Sequence, residues 1–194
     1  MKQALIVIDV QESFRQRPYF RQQDLPAFLD NVQSLIDRCQ ARGIPIVQIF
    51  HQEPGDDVGN PFCPASGWVR TMRELRLQPA AVFHKSVHSA MFGRSAEGTT
   101  LEEWLRQRGI GELLITGIRT EQCCETTARH ASDMGWQVDY VTDATLTFDM
   151  TQPDGQRLSA DDIKMRTATV LQGRFATLCS VDEALARLDE KVAA

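Results

Sequence analysis

The sequence has little of what marks proteins that bind nucleic acids or membranes. Among its 194 residues, 21 are Lys or Arg and 26 are Asp or Glu, so the formal net charge is −5 and there is no excess of positive charge. A basic surface for nucleic acid or for an anionic membrane is therefore not expected. Two basic stretches, 15–21 and 70–76, are interrupted by other residues and are interpreted as solvated faces.

Long apolar runs are also missing. The apolar segment near the start contains Asp9 and is too short for a signal peptide or a membrane span. The five cysteines are odd in number and follow no secretory leader, which argues against a disulfide framework. We therefore expect a cytoplasmic protein with free thiols.

No internal repeat, low-complexity tract or linker divides the chain. Its content of 42% hydrophobic and 24% charged residues is typical of a globular protein, and its length suits a single domain over residues 1–194. No Gly-x-Gly-x-x-Gly motif follows the first strand-like segment, which argues against a dinucleotide-binding site.

Apolar strand-like segments alternate with segments of helical periodicity. The first is nearly continuous in apolar residues, as expected for a strand covered on both faces. The alternation predicts a three-layer αβα fold of the α/β class, Rossmann-like, with a mostly parallel six-stranded sheet and helices on both faces. The predicted strands are 4–10, 44–50, 80–84, 112–116, 137–142 and 175–179. The predicted helices are 26–42, 99–108, 120–134, 159–172 and 181–191.

Three reactive side chains stand at the ends of three predicted strands. Asp9 lies near the end of the first strand, Lys85 immediately follows the third, and Cys123 follows the fourth in the opening turn of a helix. The carboxyl ends of parallel strands share one edge of the sheet, and ligands bind at that edge. We therefore expect a carboxylate, an ammonium group and a thiol to meet there.

These three groups suit nucleophilic catalysis. The N-terminus of the helix, for which Thr120 is the predicted N-cap, and the Lys85 ammonium are both expected to lower the pKa of the Cys123 thiol. Asp9 would accept the thiol proton and return it to a leaving group. Backbone N–H groups around Arg119 and Cys123 would stabilise an oxyanion.

Each residue also has a purely structural interpretation. Asp9 could form a structural ion pair, Lys85 alone would more often lie on the surface, and Cys123 alone would more often be a small core residue. Their joint placement favours catalysis. Cys124 points roughly 100° away from Cys123 on a helix, so we expect it to pack against the sheet, with a redox pair as the alternative.

The segments around these residues resemble the isochorismatase-like cysteine hydrolases, a superfamily that includes nicotinamidases, N-carbamoylsarcosine amidases and isochorismatases. ALIVIDVQESF is similar to the family's first strand and places Asp9 at its catalytic aspartate. HKSVHSAMF is similar to the lysine segment and places Lys85 at the catalytic lysine. LLITGIRTEQCCETTARHASDMG is similar to the signature around the nucleophile and places Cys123 at that position. The resemblance covers nearly the whole chain.

The resemblance implies hydrolysis of an amide or ureido C–N bond through a thioester acyl-enzyme. It also implies a non-proline cis peptide bond between Ile118 and Arg119, with the Arg119 N–H facing the substrate carbonyl beside the Cys123 N–H. The expected partners are a small-molecule substrate and further copies of the chain in a homo-oligomer, at least a dimer. No cofactor is expected. Candidate substrate contacts near the strand ends, for which ordinary packing is an equally good explanation, are Phe14, His51, Trp68 and Phe92.

A metal site is not expected. Nicotinamidases of this superfamily carry an Asp-x-His metal motif after the second strand, and here His51 keeps the His position while Ile49 replaces the Asp. The remaining ligands are not rebuilt by His84, His88 or His130 at a familiar spacing. Nicotinamide, whose ring nitrogen is held by that metal in the family, is therefore a weaker candidate substrate.

Three functions are compatible with these observations. The first is a cysteine amidohydrolase. The second is a hydrolase of a vinyl ether such as isochorismate, which needs an acid and an oriented water more than a thiolate. The third is a non-catalytic binding protein on the same scaffold. Cys123 favours the first, because some isochorismate hydrolases of the superfamily lack the cysteine, and the intact trio argues against the third.

Overall fold

The computed structural model describes residues 1–190, and six of the strands in this range form one sheet. These strands are β1 (Lys2–Ile8), β2 (Ile46–His51), β3 (Ala81–Lys85), β4 (Ile110–Ile118), β5 (Gln137–Leu146) and β8 (Thr177–Cys179). Their order is β3-β2-β1-β4-β5-β8, and each neighbouring pair is parallel. The predicted α/β architecture is confirmed, with a sheet that is wholly parallel.

Helices cover both faces of the sheet, as the alternation of patterns predicted. Within residues 1–190 they are α1 (Leu25–Ala41), α2 (Leu101–Gln107), α3 (Glu125–Asp133), α4 (Ala160–Leu171) and α5 (Val181–Glu190). Residue 191, which the sequence assigned to the last helix, lies outside the described residues. Each helix in the described range is too short or too polar to cross a membrane.

Side chains of β1 alternate between two apolar layers. Leu5 and Val7 pack in the layer that contains α1 and α5, whereas Ala4, Ile6 and Ile8 pack in the layer that contains α2 and α3. All five residues are fully buried. A strand covered on both faces needs an apolar residue at every position, which explains the continuous apolar sequence of this segment.

The structure differs from the sequence prediction mainly at element ends. β5 continues four residues past its predicted end, because Thr145 and Leu146 pair with the end of β4 after a shift in register. Thr142 and Asp143, at that predicted end, are polar residues within the strand. A short antiparallel ribbon of β6 (Met150–Thr151) and β7 (Arg157–Leu158) was also not predicted.

The switch point of the sheet lies between the carboxyl ends of β1 and β4. The chain runs outward from β1 through β2 to β3, and then returns to place β4 on the other side of β1. Gly117 lies at this point with a φ of 139°, and a Cβ added to it would be 2.0 Å from the carbonyl oxygen of Ile8. Only glycine allows the two backbones to approach this closely.

We predict that Gly117→Ala lowers the free energy of unfolding by about 3–5 kcal/mol, because the added Cβ collides with the backbone of Ile8. Urea unfolding of the purified variants measures this. Gly135→Ala is the matched control, since Gly135 also has a positive φ of 93° but nothing lies within 4 Å of its added Cβ. The control should cost only about 1–2 kcal/mol. Equal losses in the two variants would contradict the role assigned to the close approach.

Candidate active site

The three reactive side chains meet at the carboxyl edge of the sheet. Lys85 Nζ lies 2.7 Å from Asp9 Oδ2 and 3.4 Å from Cys123 Sγ. The side chains of Asp9 and Lys85 are fully buried, and Cys123 is 6% exposed. A carboxylate, an ammonium group and a thiol therefore share one enclosed site, where their charges interact more strongly than at the protein surface.

Asp9 directly follows β1 instead of lying within the strand. Its φ is 53°, and among residues 1–190 no other non-glycine residue has a positive φ. This left-handed conformation is uncommon for a residue with a side chain and is found frequently at functional sites. The turn is held by the Asp9 N–H, which donates to Ile49, and by the Asp9 carbonyl, which accepts from Gln11 at 2.8 Å.

Lys85 is the last residue of β3 and pairs with His51 at the end of β2. Burial by itself lowers the pKa of Lys85, but the interactions with Asp9 first and with Cys123 second outweigh this, so the pKa lies above its ordinary value. The side chain is therefore a cation at neutral pH. The His51 ring lies 3.3 Å from it through Nδ1, and burial and the Lys85 charge lower the pKa of His51, which favours a neutral imidazole.

Cys123 lies in a single π-helical turn, Thr120–Cys124, that precedes α3. The N-cap of this turn is Arg119, without a side-chain cap, so the prediction of Thr120 as N-cap is wrong. The Thr120 hydroxyl instead donates to the hydroxyl of Thr145 at 2.9 Å. Cys123 is thus the fourth residue of the helical segment, not the third. Turns of this type are rare and occur frequently at functional sites.

Hydrogen bonds from the surrounding core hold the π-helical turn in place. The Tyr140 hydroxyl donates to the Thr120 carbonyl at 2.9 Å, and the Thr127 hydroxyl donates to the Cys123 carbonyl at 2.6 Å. Cys124 is fully buried in the apolar layer, as predicted. Only the first of the adjacent thiols is therefore presented to the site.

The backbone and side chain of Arg119 join this turn to the segment after β5. The peptide bond between Ile118 and Arg119 is cis, as expected. The Arg119 guanidinium is largely buried, lies 2.9 Å from a Glu121 carboxylate oxygen and donates to the Phe148 carbonyl. The side chain is thus occupied by structural contacts.

The pKa of the Cys123 thiol is raised to about 12, mainly by burial. The negative charge of Asp9 also raises this pKa, and the Lys85 ammonium lowers it by a smaller amount. The predicted net lowering of this pKa is therefore wrong. The reason is that the site is more enclosed than the strand pattern indicated, and that the Asp9 carboxylate lies within 4.8 Å of the sulfur. At neutral pH the sulfur of the free protein carries its proton.

A cavity of about 170 Å³ opens onto two members of the trio, whereas Lys85 lines the neighbouring cavity of about 610 Å³. Asp9 and Cys123 line the smaller cavity, together with two of the four predicted substrate contacts, Phe14 and His51. Pockets for drug-sized ligands have volumes of roughly 300–1,000 Å³, so this cavity suits a smaller molecule. Its other lining residues are Arg17, Tyr19, Glu53, Phe62, His88 and Gln122.

The other two predicted substrate contacts, Trp68 and Phe92, are not among the residues that line this cavity. The ring of Trp68 lies against the guanidinium of Arg70, at 5.3 Å. Phe92 is 62% exposed and lines a separate cavity of about 610 Å³. In the short 3₁₀-helix Ala90–Phe92, Met91 turns into the core and leaves Phe92 facing outward. The structure therefore does not bring Trp68 or Phe92 to Cys123.

Several cavity residues were missed from the sequence. Arg17 and Tyr19 lie in the basic stretch 15–21 that was interpreted as a solvated face, and Glu53 lies in the polar loop after β2. No local pattern marks them, because they reach the site only through the path of their loops. Gln122 could have been found, since it is adjacent to Cys123 in the turn that carries the thiol.

The residues of the site do not fit a resident metal ion. Asp9, His51 and Cys123 offer three ligand atoms within 4.8 Å of one another. The Lys85 ammonium, however, is within 3.4 Å of all three side chains and already supplies the positive charge there. Ile49, where the metal-binding members of the superfamily have an Asp, is a fully buried apolar residue with no ligand atom.

Comparisons with known proteins point to one family. The model of the isochorismatase domain matches residues 3–174. An uncharacterized isochorismatase family protein from Bacillus subtilis is 26% identical over 183 residues, which cover 94% of each chain. Nicotinamidase 3 from Arabidopsis thaliana is 31% identical over 157 residues, covering 75% of this chain and 73% of that one. A crystal structure from Chromobacterium violaceum that is assigned to the isochorismatase family has a TM-score of 0.86 at 28% identity, covering 97% of this chain and 94% of that one.

We predict that Asp9→Asn makes Cys123 react faster with iodoacetamide. The charge of Asp9 raises the thiol pKa, so its removal lowers the pKa and increases the thiolate fraction about tenfold for each pKa unit. Mass spectrometry of the alkylated peptide measures the rate at mildly alkaline pH. Asp161→Asn, which removes an exposed carboxylate on α4, is the control and should leave the rate unchanged. A slower reaction in Asp9→Asn would show that Asp9 does not hold the proton on the sulfur.

Proposed function

The chain belongs to the isochorismatase family of hydrolases, and we propose that it hydrolyses the C–N bond of a small amide or carbamoyl (ureido) compound with Cys123 as nucleophile. The observation that carries the proposal is the contact of Lys85 Nζ with both Asp9 and Cys123 beside a small cavity. A nicotinamidase among the relatives favours amide chemistry.

The first step would couple attack to loss of the thiol proton. Cys123 Sγ bonds to the carbonyl carbon as its proton passes to the carboxylate of Asp9. The raised pKa of Cys123 makes this coupling necessary, since a free thiolate would be rare at neutral pH. Within residues 1–190, Asp9 Oδ1 is buried and has no hydrogen-bond partner, so it is available as the proton acceptor. Lys85 holds the other oxygen, Oδ2.

The later steps would return each group to its starting state. The tetrahedral intermediate carries an oxyanion, for which the backbone N–H groups of Arg119 and Cys123 are the proposed donors. Asp9 gives its proton to the leaving nitrogen, the C–N bond breaks and a thioester remains. A water molecule deprotonated by Asp9 then attacks the thioester, releases the acid and restores the thiol.

Phe14 and His51 are the proposed substrate contacts, since both line the cavity. Each ring packs edge-on against Phe62, with centroid distances of 5.1 and 5.6 Å. Gln11 holds the backbone of His51 from two sides: its Nε2 donates to the His51 carbonyl at 3.0 Å, and its Oε1 accepts from the His51 N–H at 2.9 Å. These contacts give the cavity a rigid wall before substrate binds.

A second candidate is hydrolysis of a vinyl ether such as isochorismate. This reaction needs a proton donor and an oriented water instead of a sulfur nucleophile. The raised pKa of Cys123, which keeps the thiol protonated at neutral pH, favours it. In that reaction the thiol would be dispensable, which separates the two candidates experimentally.

We also propose that the protein works in the cytoplasm as a homo-oligomer, at least a dimer. All five cysteines are buried free thiols, which suits a reducing compartment. The oligomer is what the family resemblance implies. Size-exclusion chromatography with light scattering measures the mass, and a value equal to the chain mass of 21.8 kDa would contradict the oligomer.

Cys123→Ala should abolish hydrolysis of amides and ureido compounds, lowering kcat by about 10³-fold or more because no acyl-enzyme can form. A panel of small amides, carbamoyl compounds and isochorismate identifies the substrate, and intact-mass analysis detects the acyl group on the protein. Cys63→Ala, which removes a buried thiol outside the cavity, is the control and should remain active. Undiminished amide hydrolysis by Cys123→Ala would overturn the mechanism. Activity of that variant on isochorismate would support the second candidate.

A further inference from the structure

Arg17 contributes a positive charge to the cavity that the catalytic trio does not use. It lines the same cavity as Asp9 and Cys123. In the described part of the chain, Arg17 forms no ion pair; its guanidinium lies 5.7 Å from the centre of the Tyr19 ring. Arg17 is an exposed residue, but it also lines the cavity, and an arginine there without an ion-pair partner is a candidate binding group for an anion.

Neighbouring cations are already paired. Arg15, in the same basic stretch, lies 2.8 Å from Glu74, and Arg119 lies 2.9 Å from Glu121. Lys85 is paired with Asp9, and both side chains are fully buried. Among these cations, Arg17 is therefore the one that lines the cavity and forms no ion pair with a described residue.

The backbone of Arg17 is fixed at the end of the 3₁₀-helix Glu12–Gln16 that follows Asp9. Its N–H donates to the Phe14 carbonyl at 3.0 Å, and its carbonyl accepts from the Phe20 N–H at 3.0 Å. Because Phe14 itself lines the cavity, these bonds keep Arg17 at a constant position relative to the wall.

The side chain of Arg17 rests on an aromatic ring that is itself held in place. The Tyr19 ring packs against Phe148 at 5.5 Å, and the guanidinium of Arg119 lies 5.2 Å from its centre. The Tyr19 ring thus lies near the guanidinium groups of both Arg17 and Arg119. Arg17 is therefore linked to the turn that carries Cys123 through contacts with Tyr19 and Arg119.

Glu53 is the acidic counterpart in the same cavity and limits where an anion could lie. Its Oε2 accepts a hydrogen bond from Asn60 at 2.6 Å. This bond holds the carboxylate against the loop after β2, which forms part of the cavity wall. An anionic group would be repelled by Glu53 and attracted by Arg17. The two charges therefore give the cavity a defined polarity.

We propose that the substrate is a small amide or ureido compound that carries a carboxylate, and that Arg17 binds this carboxylate while Cys123 attacks the carbonyl carbon. The proposal rests on the amidohydrolase function proposed above. The planar guanidinium offers parallel N–H donors that match the two oxygens of a carboxylate, which makes Arg17 a specificity-determining residue.

Two pairs of probes that differ in charge at nearly constant shape test the proposal. Succinamate is compared with pentanamide, and N-carbamoylglycine with N-propylurea. For each pair we expect the anionic member to have a kcat/KM about 10- to 100-fold higher, as for a hydrogen bond to a charged group. Arg17→Gln should bring this ratio towards one, mainly through KM, and Arg17→Lys should restore part of it. Glu53→Gln should increase the ratio.

Arg73→Gln is the matched control, because it removes the same charge from a side chain that is 81% exposed and outside the cavity. Its ratio should match that of the unaltered protein. A ratio of one or less in the unaltered protein, or a ratio that Arg17→Gln leaves intact, would overturn the carboxylate proposal while amide turnover still supports the proposed function.

A binding measurement keeps the proposal testable when none of the four probes is hydrolysed. Each probe is tested for protection of Cys123 against iodoacetamide in the unaltered protein and in Arg17→Gln. Stronger protection by the anionic members, lost in the variant, supports carboxylate binding. Equal protection by charged and neutral members overturns it. Absence of turnover on the wider amide panel, with no acyl group found on Cys123, would count separately against the proposed function.

Discussion

The buried ion pair between Asp9 and Lys85 is the interaction on which the rest of the site depends. The two side chains are fully buried and lie 2.7 Å apart. An unpaired charge in such a position costs about 3–5 kcal/mol, so each residue is stable there only because the other is present. Since β2 separates their strands, the pair also requires β1, β2 and β3 to be in correct register. Folding and the proposed chemistry therefore depend on the same contact.

Burial, more than the ion pair, sets the protonation state of Cys123. Asp9 raises the pKa of Cys123 and Lys85 lowers it, but burial is the largest effect and the thiol keeps its proton. The reactivity of cysteine towards oxidants follows its thiolate character. In the proposed mechanism the thiol loses its proton only when a carbonyl group is in reach, which would protect it between turnovers. The proposed proton acceptor, Asp9, is already in place, so this protection would not slow the proposed reaction.

Local backbone irregularities at a rigid sheet edge bring the reactive groups together. Asp9 has a positive φ, Gly117 allows β4 to approach β1, and Cys123 lies in a π-helical turn. Each irregularity begins within a few residues of the end of a parallel strand, where backbone hydrogen bonding to the neighbouring strands ceases. The regular strands thus fix where the reactive residues lie, and the irregular backbone near the strand ends fixes where their side chains point.

The sequence by itself determined the layers of the fold and the strand ends at which the reactive residues stand. This was possible because apolar periodicity is a local property: the unbroken apolar run of β1 is enough to show a strand covered on both faces. The tertiary structure alone decided the protonation state of Cys123 and the composition of the cavity. Burial depends on every element packed around a group, and loops from distant parts of the chain brought in Arg17 and left out Phe92.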